Sequence, residues 1–346
     1  MQITPVIFDC PRNARDPPDR VLKMTANRYC THESASNDEG FTLLFAHCIG
    51  SHKEQWEPVI EQAFRMQQGK ARNQRVREAW SFDWQSHGDA GILNRELLQV
   101  SGTRADGVSA YEWAEAIAAF VRSPRMQGRR IVAIGHSAGA GAMVVSLKST
   151  PLSHLPFLGL VLIEPTIAKP ELYYRVMADN TPTIEAATLL RRSRWASRGE
   201  AKEWLRKRAP YRKWDERVLA LFIEYGLDDT SIGDVKLKCD RRLEALAFPD
   251  VHPHFDAFAE LGRISGRVPV HVIWASRSEL VPKALQDALA DTKDGRRLAS
   301  VTHVEGGHLL PQESPVRIAH AIANALDSIA VDFANANIIP AERSRL

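Results

Sequence analysis

The most informative candidate for a catalytic residue in this chain is a serine. An apolar run is followed directly by the sequence Gly-His-Ser-Ala-Gly at residues 135–139. A serine on a sharp turn between a strand and a helix has a strained backbone, so the residues two positions away, Gly135 and Gly139, must be small. A helix that begins at Ser137 directs its N-terminal N–H groups at a developing negative charge, which makes the Ala138 amide a candidate oxyanion donor. The motif predicts a nucleophilic serine, although the same five-residue pattern also occurs in ordinary loops.

A histidine late in the chain is the candidate general base. His308 follows Gly306 and Gly307, in a segment that comes after the last predicted strand. A loop of this kind can bring an imidazole over a serine that is distant in the sequence. An acidic residue between the serine and the histidine would complete the chain order serine, acid, histidine. This order supports Ser137 as a nucleophile more specifically than the serine motif does alone.

A second oxyanion donor is predicted in an earlier loop. An apolar strand at residues 41–46 is followed by His47, Cys48 and Ile49. A loop at this position can supply an N–H group to an oxyanion, here from Cys48 or Ile49. We expect His47 to hold the loop by hydrogen bonds, and Cys48 to be a small buried residue rather than a reactive thiol.

The elements that must position these residues alternate between strand and helix. β-type sequence patterns predict strands at residues 5–9, 22–29, 41–46, 79–83, 130–134, 157–163, 268–274 and 299–304. Apolar residues at helical spacing predict helices at residues 53–66, 110–121, 138–146, 283–290 and 316–330. This alternation favours the α/β class, with a mostly parallel central sheet and helices on both faces.

One long segment departs from this alternation. Residues 166–267 are helix-rich and strongly charged, which predicts a helical cap inserted after the sixth strand. The expected division is a core of residues 1–165 and 268–330, a cap of residues 166–267, and a C-terminal tail of residues 331–346 with a targeting tripeptide.

The composition excludes several functional classes. Hydrophobic residues make up 44% of the 346 residues and charged residues 25%, as in ordinary globular proteins, and a net charge of +3 is too small to indicate a nucleic-acid partner. Four dispersed cysteines without a C-x-x-C pair predict a reduced, intracellular protein with no disulfide framework, metal or cofactor. The sequence has no signal-peptide pattern, and no apolar run approaches the ~20 residues of a membrane span, so we expect a soluble protein.

Four segments, taken in order, resemble the α/β-hydrolase superfamily. They are Ala46-His47-Cys48-Ile49-Gly50, the sequence DWQSHGD at residues 83–89, the serine motif at residues 135–139, and Gly306-Gly307-His308. The resemblance covers roughly residues 40 to 325 and implies the α/β-hydrolase fold with a serine, an acid and a histidine as catalytic residues, but it does not define the substrate. The cap and the end of the chain resemble fungal peroxisomal serine hydrolases, including those of host-selective toxin pathways and a peroxisomal lipase.

The catalytic acid departs from the usual superfamily pattern. Members commonly carry it just after the seventh strand, where Ser278 stands in this chain. Glu164 instead ends the apolar sixth strand, from which a carboxylate could reach His308, and haloalkane dehalogenases and zearalenone lactonases look similar in using an acid there. We therefore expect Glu164 to orient His308, with Glu279 as the alternative acid. A purely structural role for Glu164, as a helix N-cap or in an ion pair with the cap, is the other interpretation.

The predicted cap contains a basic run. Between Arg191 and Arg217, eleven Lys and Arg residues stand against four Asp and Glu residues, a surplus of seven in a chain whose total is +3. A solvated helix pair with its tryptophans facing inward explains this run. Attraction of an anionic substrate such as a coenzyme A ester is the alternative.

The last three residues resemble a targeting signal. Ser344, Arg345 and Leu346 form a conservative variant of the S-K-L peroxisomal address, which an import receptor reads at a free C-terminus. We expect a peroxisomal protein, or otherwise a cytoplasmic one.

Together these features predict an esterase, lipase, lactonase or thioesterase of the serine hydrolase type. Ser137 would form an acyl-enzyme with a small-molecule acyl substrate, and His308 would act first as base and then as acid. Epoxide hydrolysis and dehalogenation fit less well, because they need a carboxylate nucleophile in place of the serine. An acyl-CoA thioesterase or acyltransferase of a peroxisomal lipid or secondary-metabolite pathway is one alternative. The rival of another class is a non-catalytic ligand-binding protein on the same fold.

Overall fold

The structure of the protein is a computed structural model that describes residues 1–99 and 103–338. Its central strands are β1 (Gln2–Asp9), β2 (Lys23–Cys30), β3 (Phe41–Ala46), β4 (Val76–Phe82), β5 (Arg130–His136), β6 (Phe157–Ile163), β10 (Val270–Ala275) and β11 (Ser300–Val304). Three short strands lie between β6 and β10, namely β7 (Arg194–Trp195), β8 (Leu227–Asp229) and β9 (Val235–Leu237).

The eight central strands form one sheet in the order β1-β2-β4-β3-β5-β6-β10-β11. β1 and β2 pair antiparallel with each other, and β2 pairs antiparallel with β4, whereas all later neighbours are parallel. The parallel strands β3, β5 and β6 are apolar and almost entirely buried, as expected for strands covered on both faces. The predicted mostly parallel sheet is confirmed.

Helices cover both faces of this sheet. The α-helices are α1 (His32–Ala35), α2 (Glu57–Gln67), α3 (Gly88–Leu93), α4 (Ala110–Arg122), α5 (Ala138–Val145), α6 (Pro170–Val176), α7 (Thr181–Leu190), α8 (Arg198–Arg206), α9 (Glu216–Tyr225), α10 (Arg241–Leu246), α11 (His252–Ile264), α12 (Lys283–Ala290), α13 (Leu310–Glu313) and α14 (Pro315–Ile338). Successive strand side chains point to opposite faces, so Leu43 packs with α2 and α14 while Leu44 packs with α4 and α5. The sheet therefore separates two apolar layers.

The segment between β6 and β10 has its own small core. Helices α6 to α10 lie here, together with an antiparallel sheet in the order β7-β9-β8 that the sequence patterns do not predict. Trp195, Leu205 and Phe222 belong to the buried cluster of this segment. Helix α11 instead packs against α5 in the layer that covers the central sheet. The division into a core of residues 1–165 and 268–330 and a cap of residues 166–267 stays a prediction.

The final helix is longer than expected. α14 extends to Ile338, past the predicted helix end at residue 330, so the predicted tail is helical in its first part. Residues 344–346, the predicted targeting tripeptide, lie outside the described residues. Among the helices that the structure does describe, none combines the length and apolar character needed to cross a membrane.

Candidate active site

The serine motif forms a sharp turn at the carboxyl end of β5. Ser137 follows the strand and precedes α5, and its backbone has φ 54° and ψ −117°, a conformation that non-glycine residues rarely adopt. A Cβ on Gly135 would lie 2.5 Å from the Cα of Ala140, and a Cβ on Gly139 would lie 2.5 Å from the backbone oxygen of Ala46. Neither position has room for a side chain, which is the steric demand inferred from the sequence.

The structure brings the predicted serine, histidine and acid together. Nε2 of His308 lies 3.0 Å from Oγ of Ser137, and Nδ1 of the same ring lies 3.0 Å from Oε2 of Glu164. An ionised carboxylate only accepts hydrogen bonds, so Nδ1 carries the proton and Nε2 is free to accept the serine hydroxyl proton. This arrangement can activate the hydroxyl as a nucleophile.

Glu164 is held rigidly at the end of β6. It has a positive φ of 47°, and its side chain is fully buried. Its backbone N–H donates to the carbonyl of Ile273 at 2.8 Å, and its Oε1 accepts from the N–H of Ala275 at 2.6 Å. The neighbouring strand β10 therefore orients the carboxylate, while Oε2 is left for His308.

Glu279 does not bond to the histidine. One of its carboxylate oxygens lies 3.0 Å from Nζ of Lys213 and 3.0 Å from Nε of Arg277, and these two groups hold its pKa below the ordinary value. The hydroxyl of Ser278, at the usual acid position, accepts from the side-chain amide of Gln286 at 3.1 Å. The structure places Glu164, and not the alternative acid, next to the imidazole.

The predicted oxyanion donors come from two elements that meet at the serine. Ala138 is the first residue of α5, where backbone N–H groups have no acceptor inside the helix. Cys48 and Ile49 line the same cavity as Ser137 and Ala138. Burial raises the pKa of the Cys48 thiol to about 12, so this group is a neutral thiol beside the site and not a thiolate nucleophile.

The loop that contains Cys48 and Ile49 is anchored by the motif at residues 83–89. His47 is buried, its Nε2 accepts from the N–H of Trp84 at 3.1 Å, and its Nδ1 lies 2.7 Å from the carbonyl oxygen of Cys48. The N–H of Gly50 donates to Nε2 of His87 at 3.0 Å. Burial lowers the pKa of His47 to about 4, so it serves as a neutral structural ring, as the sequence predicts.

A cluster of charged side chains around Lys53 stabilises the same loop. Nζ of Lys53 lies 2.9 Å from Asp83, 2.7 Å from Glu54 and 2.6 Å from Asp89. Burial alone would lower the pKa of Lys53, but the three carboxylates raise it well above the ordinary value. The backbone N–H of Lys53 also donates to Asp83 at 2.8 Å. The sequence does not predict this role of Lys53, because nothing local distinguishes it from a surface lysine.

A second histidine contacts the loop that carries His308. His136, between Gly135 and Ser137, is buried, and its Nε2 lies 2.8 Å from the carbonyl oxygen of His308. Burial, together with the nearby His308 ring, lowers the pKa of His136 well below the ordinary value, so the ring is neutral and donates to that carbonyl. Its place inside the serine motif is the only sequence signal that could have identified it.

A cavity of about 470 Å³ opens over the serine. Its floor includes Ser137, Ala138 and His308. Its other walls combine apolar and polar side chains from the segment after β6, among them Tyr173, Met177, Ile184, Arg191, Trp204, Tyr211, Trp214, Glu244 and Phe248. This mixture suits a ligand with an apolar body and a few polar groups.

Acidic residues inside and outside the basic run form ion pairs with most of its Lys and Arg side chains. Arg191 pairs with Glu244, and Lys213 pairs with Glu279. Arg194, Arg198 and Arg206 pair with Asp234, Asp229 and Glu216. The guanidinium of Arg208 lies 4.1 Å from the centre of the Trp204 ring at the cavity wall. Within the described residues, no cluster of three His, Cys, Asp or Glu side chains could hold a metal ion.

Comparisons with known proteins agree with this architecture. The sequence profile of the alpha/beta hydrolase family matches residues 43–321. The fold is similar to that of the peroxisomal alpha-beta-hydrolase Lpx1 from Saccharomyces cerevisiae, with a TM-score of 0.76 and 17% sequence identity over 96% of this chain and 90% of that one. No curated protein matches the sequence significantly.

Two further solved structures share the fold. A thioesterase domain from the curacin biosynthetic pathway has a TM-score of 0.60 and 16% identity over 88% of this chain and 95% of that one. A Mycobacterium tuberculosis esterase has a TM-score of 0.62 and 16% identity over 93% and 92% of the two chains.

Proposed function

This chain belongs to the alpha/beta hydrolase family, and from that premise we propose that it is a serine hydrolase which forms an acyl-enzyme on Ser137. The observation that carries the proposal is the continuous chain of hydrogen-bonding atoms from Ser137 through His308 to Glu164, with 3.0 Å at each step. The proposed substrates are carboxylic esters, lactones and acyl thioesters, in which an electrophilic carbonyl carries a leaving group. The proposed reaction needs no cofactor.

The geometry supports a two-step reaction. Oγ of Ser137 attacks the substrate carbonyl while Nε2 of His308 takes the hydroxyl proton, and the imidazolium formed is stabilised by the buried Glu164 carboxylate. The N–H of Ala138, with that of Cys48 or Ile49, stabilises the tetrahedral oxyanion. His308 then returns the proton to the leaving oxygen or sulfur, and a water molecule activated by the same imidazole hydrolyses the acyl-enzyme. Transfer of the acyl group to an alcohol or amine would use the same intermediate.

Covalent labelling tests the mechanism directly. A fluorophosphonate probe should label the wild-type protein at Ser137, because it reacts readily only with an activated serine. The Ser137→Ala variant should lose the label, whereas Ser146→Ala should retain it, since Ser146 lies at the far end of α5 and its hydroxyl donates to the carbonyl of Met143. Peptide mapping by mass spectrometry identifies the modified residue.

Two results would contradict this mechanism. Labelling of a different serine would place the nucleophile elsewhere. An unlabelled wild-type protein whose cavity nevertheless binds an apolar ligand would favour the rival function, a ligand-binding protein on the same fold.

Acyl-CoA esters belong to the proposed substrate class of thioesters, but no feature of the cavity that the structure describes favours them over neutral esters. Most of the basic run is paired with carboxylates, which weakens its attraction for a polyanionic ligand. The likeness to a thioesterase domain at 16% identity concerns the fold. An acyl-CoA thioesterase or acyltransferase is therefore the alternative activity at the same serine.

We also propose that the protein is imported into peroxisomes. The proposal rests on Ser344, Arg345 and Leu346, and the similarity in fold to a peroxisomal hydrolase is consistent with it. A fluorescent protein fused to the N-terminus should give punctate fluorescence that overlaps a peroxisomal marker. Deletion of the three residues should make the fluorescence diffuse, and an unchanged distribution after deletion would refute the role of the tripeptide.

A further inference from the structure

A group of three polar side chains lines the active-site cavity and has no part in the mechanism described above. Ser51 and Gln55 follow the oxyanion loop, and Gln312 lies shortly after His308. The side-chain amide of Gln312 donates to Oε1 of Gln55 at 3.3 Å and to the hydroxyl of Ser51 at 3.4 Å. Its nitrogen also lies 3.8 Å from the sulfur of Cys48, so the group adjoins the predicted oxyanion donors.

Among the described residues, the two glutamine side chains have one hydrogen-bond donor group and one acceptor atom without a partner. Both side chains are only 2% exposed, and Ser51 also donates to Oε1 of Gln55. Within the described part of the chain, Nε2 of Gln55 and Oε1 of Gln312 have no hydrogen-bond partner. Exchanging O and N in both amides would still leave one donor and one acceptor. A buried polar atom without a partner destabilises the folded protein, so this pair is unfavourable unless another group binds to it.

The chemistry of this pair specifies what would bind. A hydroxyl group accepts one hydrogen bond and donates another, so it satisfies an N–H and a carbonyl oxygen at the same time. A ketone oxygen could only accept, and a methyl group could do neither.

We propose that Gln55 and Gln312 form a specificity subsite for a hydroxyl group on the acyl portion of the substrate, close to the scissile carbonyl. The inference rests on the proposed acyl-enzyme function and narrows its substrate class to hydroxyacyl esters or thioesters. The proximity of Gln312 to Cys48 is the reason for placing the hydroxyl close to the carbonyl, whose oxygen would be bound by the oxyanion loop.

Matched ester substrates test the proposal in the wild-type protein. The p-nitrophenyl esters of 2-hydroxybutyric and 3-hydroxybutyric acid are compared with those of 2-methylbutyric and 3-methylbutyric acid, in which a methyl group replaces the hydroxyl. Each kcat/KM is divided by the rate of alkaline hydrolysis of the same ester, which removes differences in intrinsic reactivity. We expect at least one hydroxy ester to be preferred over its methyl partner by about tenfold or more.

Variants then assign the preference to the subsite. Gln312→Met and Gln55→Met should each reduce the ratio of hydroxy to methyl ester by about tenfold, because the amide that binds the hydroxyl is lost. Gln67→Met is the matched control, since Gln67 is equally buried but lines a different depression, beside α2. Its ratio should equal that of the wild type. Thermal unfolding followed by circular dichroism confirms that each variant is folded.

The outcomes separate this inference from the function on which it rests. If wild-type protein hydrolyses the esters but prefers neither hydroxy ester over its methyl partner, the subsite binds only water and the inference is wrong. It is equally wrong if the preference persists in both glutamine variants. If no ester is hydrolysed and the fluorophosphonate probe does not react, the acyl-enzyme proposal itself fails.

Discussion

Replacing Glu164 by glutamine is the most informative perturbation of the proposed triad. The substitution keeps the size of the side chain and removes its charge. In the wild type, both carboxylate oxygens accept hydrogen bonds, one from Ala275 N–H at 2.6 Å and the other from Nδ1 of His308, 3.0 Å away. A glutamine has only one oxygen, so it cannot accept from both.

Either orientation of the new amide is damaging. If its oxygen faces Ala275, its NH₂ group faces Nδ1, which must then accept, and the proton moves to Nε2, where it blocks deprotonation of Ser137. If its oxygen faces His308, two donors meet at Ala275, and a buried N–H is left unpaired at a cost of about 1–3 kcal/mol. The corresponding substitution in a characterised serine protease triad lowers kcat by about 10⁴, or roughly 5.4 kcal/mol of activation free energy. We expect a loss of that order here.

The assay is kcat for p-nitrophenyl butyrate, measured with active-site concentration determined by titration. Glu279→Gln is the matched control, because it makes the same chemical change in a carboxylate that pairs with Lys213 and Arg277 instead of the histidine. Its kcat should stay within about tenfold of the wild type, since the lost ion pairs are partly exposed. Equal activity of Glu164→Gln and wild type, or a larger loss in Glu279→Gln, would refute the reasoning.

Two other properties follow from the structure. Gly139→Ala should reduce kcat by at least about 10² and lower the melting temperature, because its Cβ would lie 2.5 Å from the backbone oxygens of Ala46 and His47. Gly266→Ala is the control and should change neither property, since the space around Gly266 is open. Similar behaviour of the two variants would contradict the argument. The free energy of unfolding should fall as the pH is lowered from 6.5 to 4, by about 1.4 kcal/mol per pH unit for each buried neutral histidine. In this pH range the histidines of the unfolded chain bind protons, while the buried histidines of the folded chain do not. The histidines whose pKa burial lowers most clearly are His47, His87, His136 and His254. Glu57, whose pKa burial raises to about 7, offsets one of them, and a constant stability in urea titrations across this window would contradict the prediction.

Several features of this structure depend on neighbouring residues only and can therefore be predicted from the sequence. The turn at Ser137 could be predicted because it depends on steric fit over five residues, where only glycine is accommodated on either side. The parallel strands β3, β5 and β6 can be predicted because burial on both faces favours an uninterrupted apolar run. The edge strand β1 is only partly predictable from the sequence, since its first four residues are all exposed and show no burial pattern.

Tertiary structure distinguished between the alternatives that the sequence left open. Glu164 and Glu279 are the same residue type and both follow strands, but only the turn of the chain after β6, with its positive φ at Glu164, brings a carboxylate to His308. The ion pairs of Arg191 with Glu244 and of Lys213 with Glu279, and the contact between Gln55 and Gln312, likewise join residues far apart in the sequence. Hydrogen bonds and ion pairs act over a few ångströms in space, and sequence spacing does not encode those distances once the chain has folded back on itself.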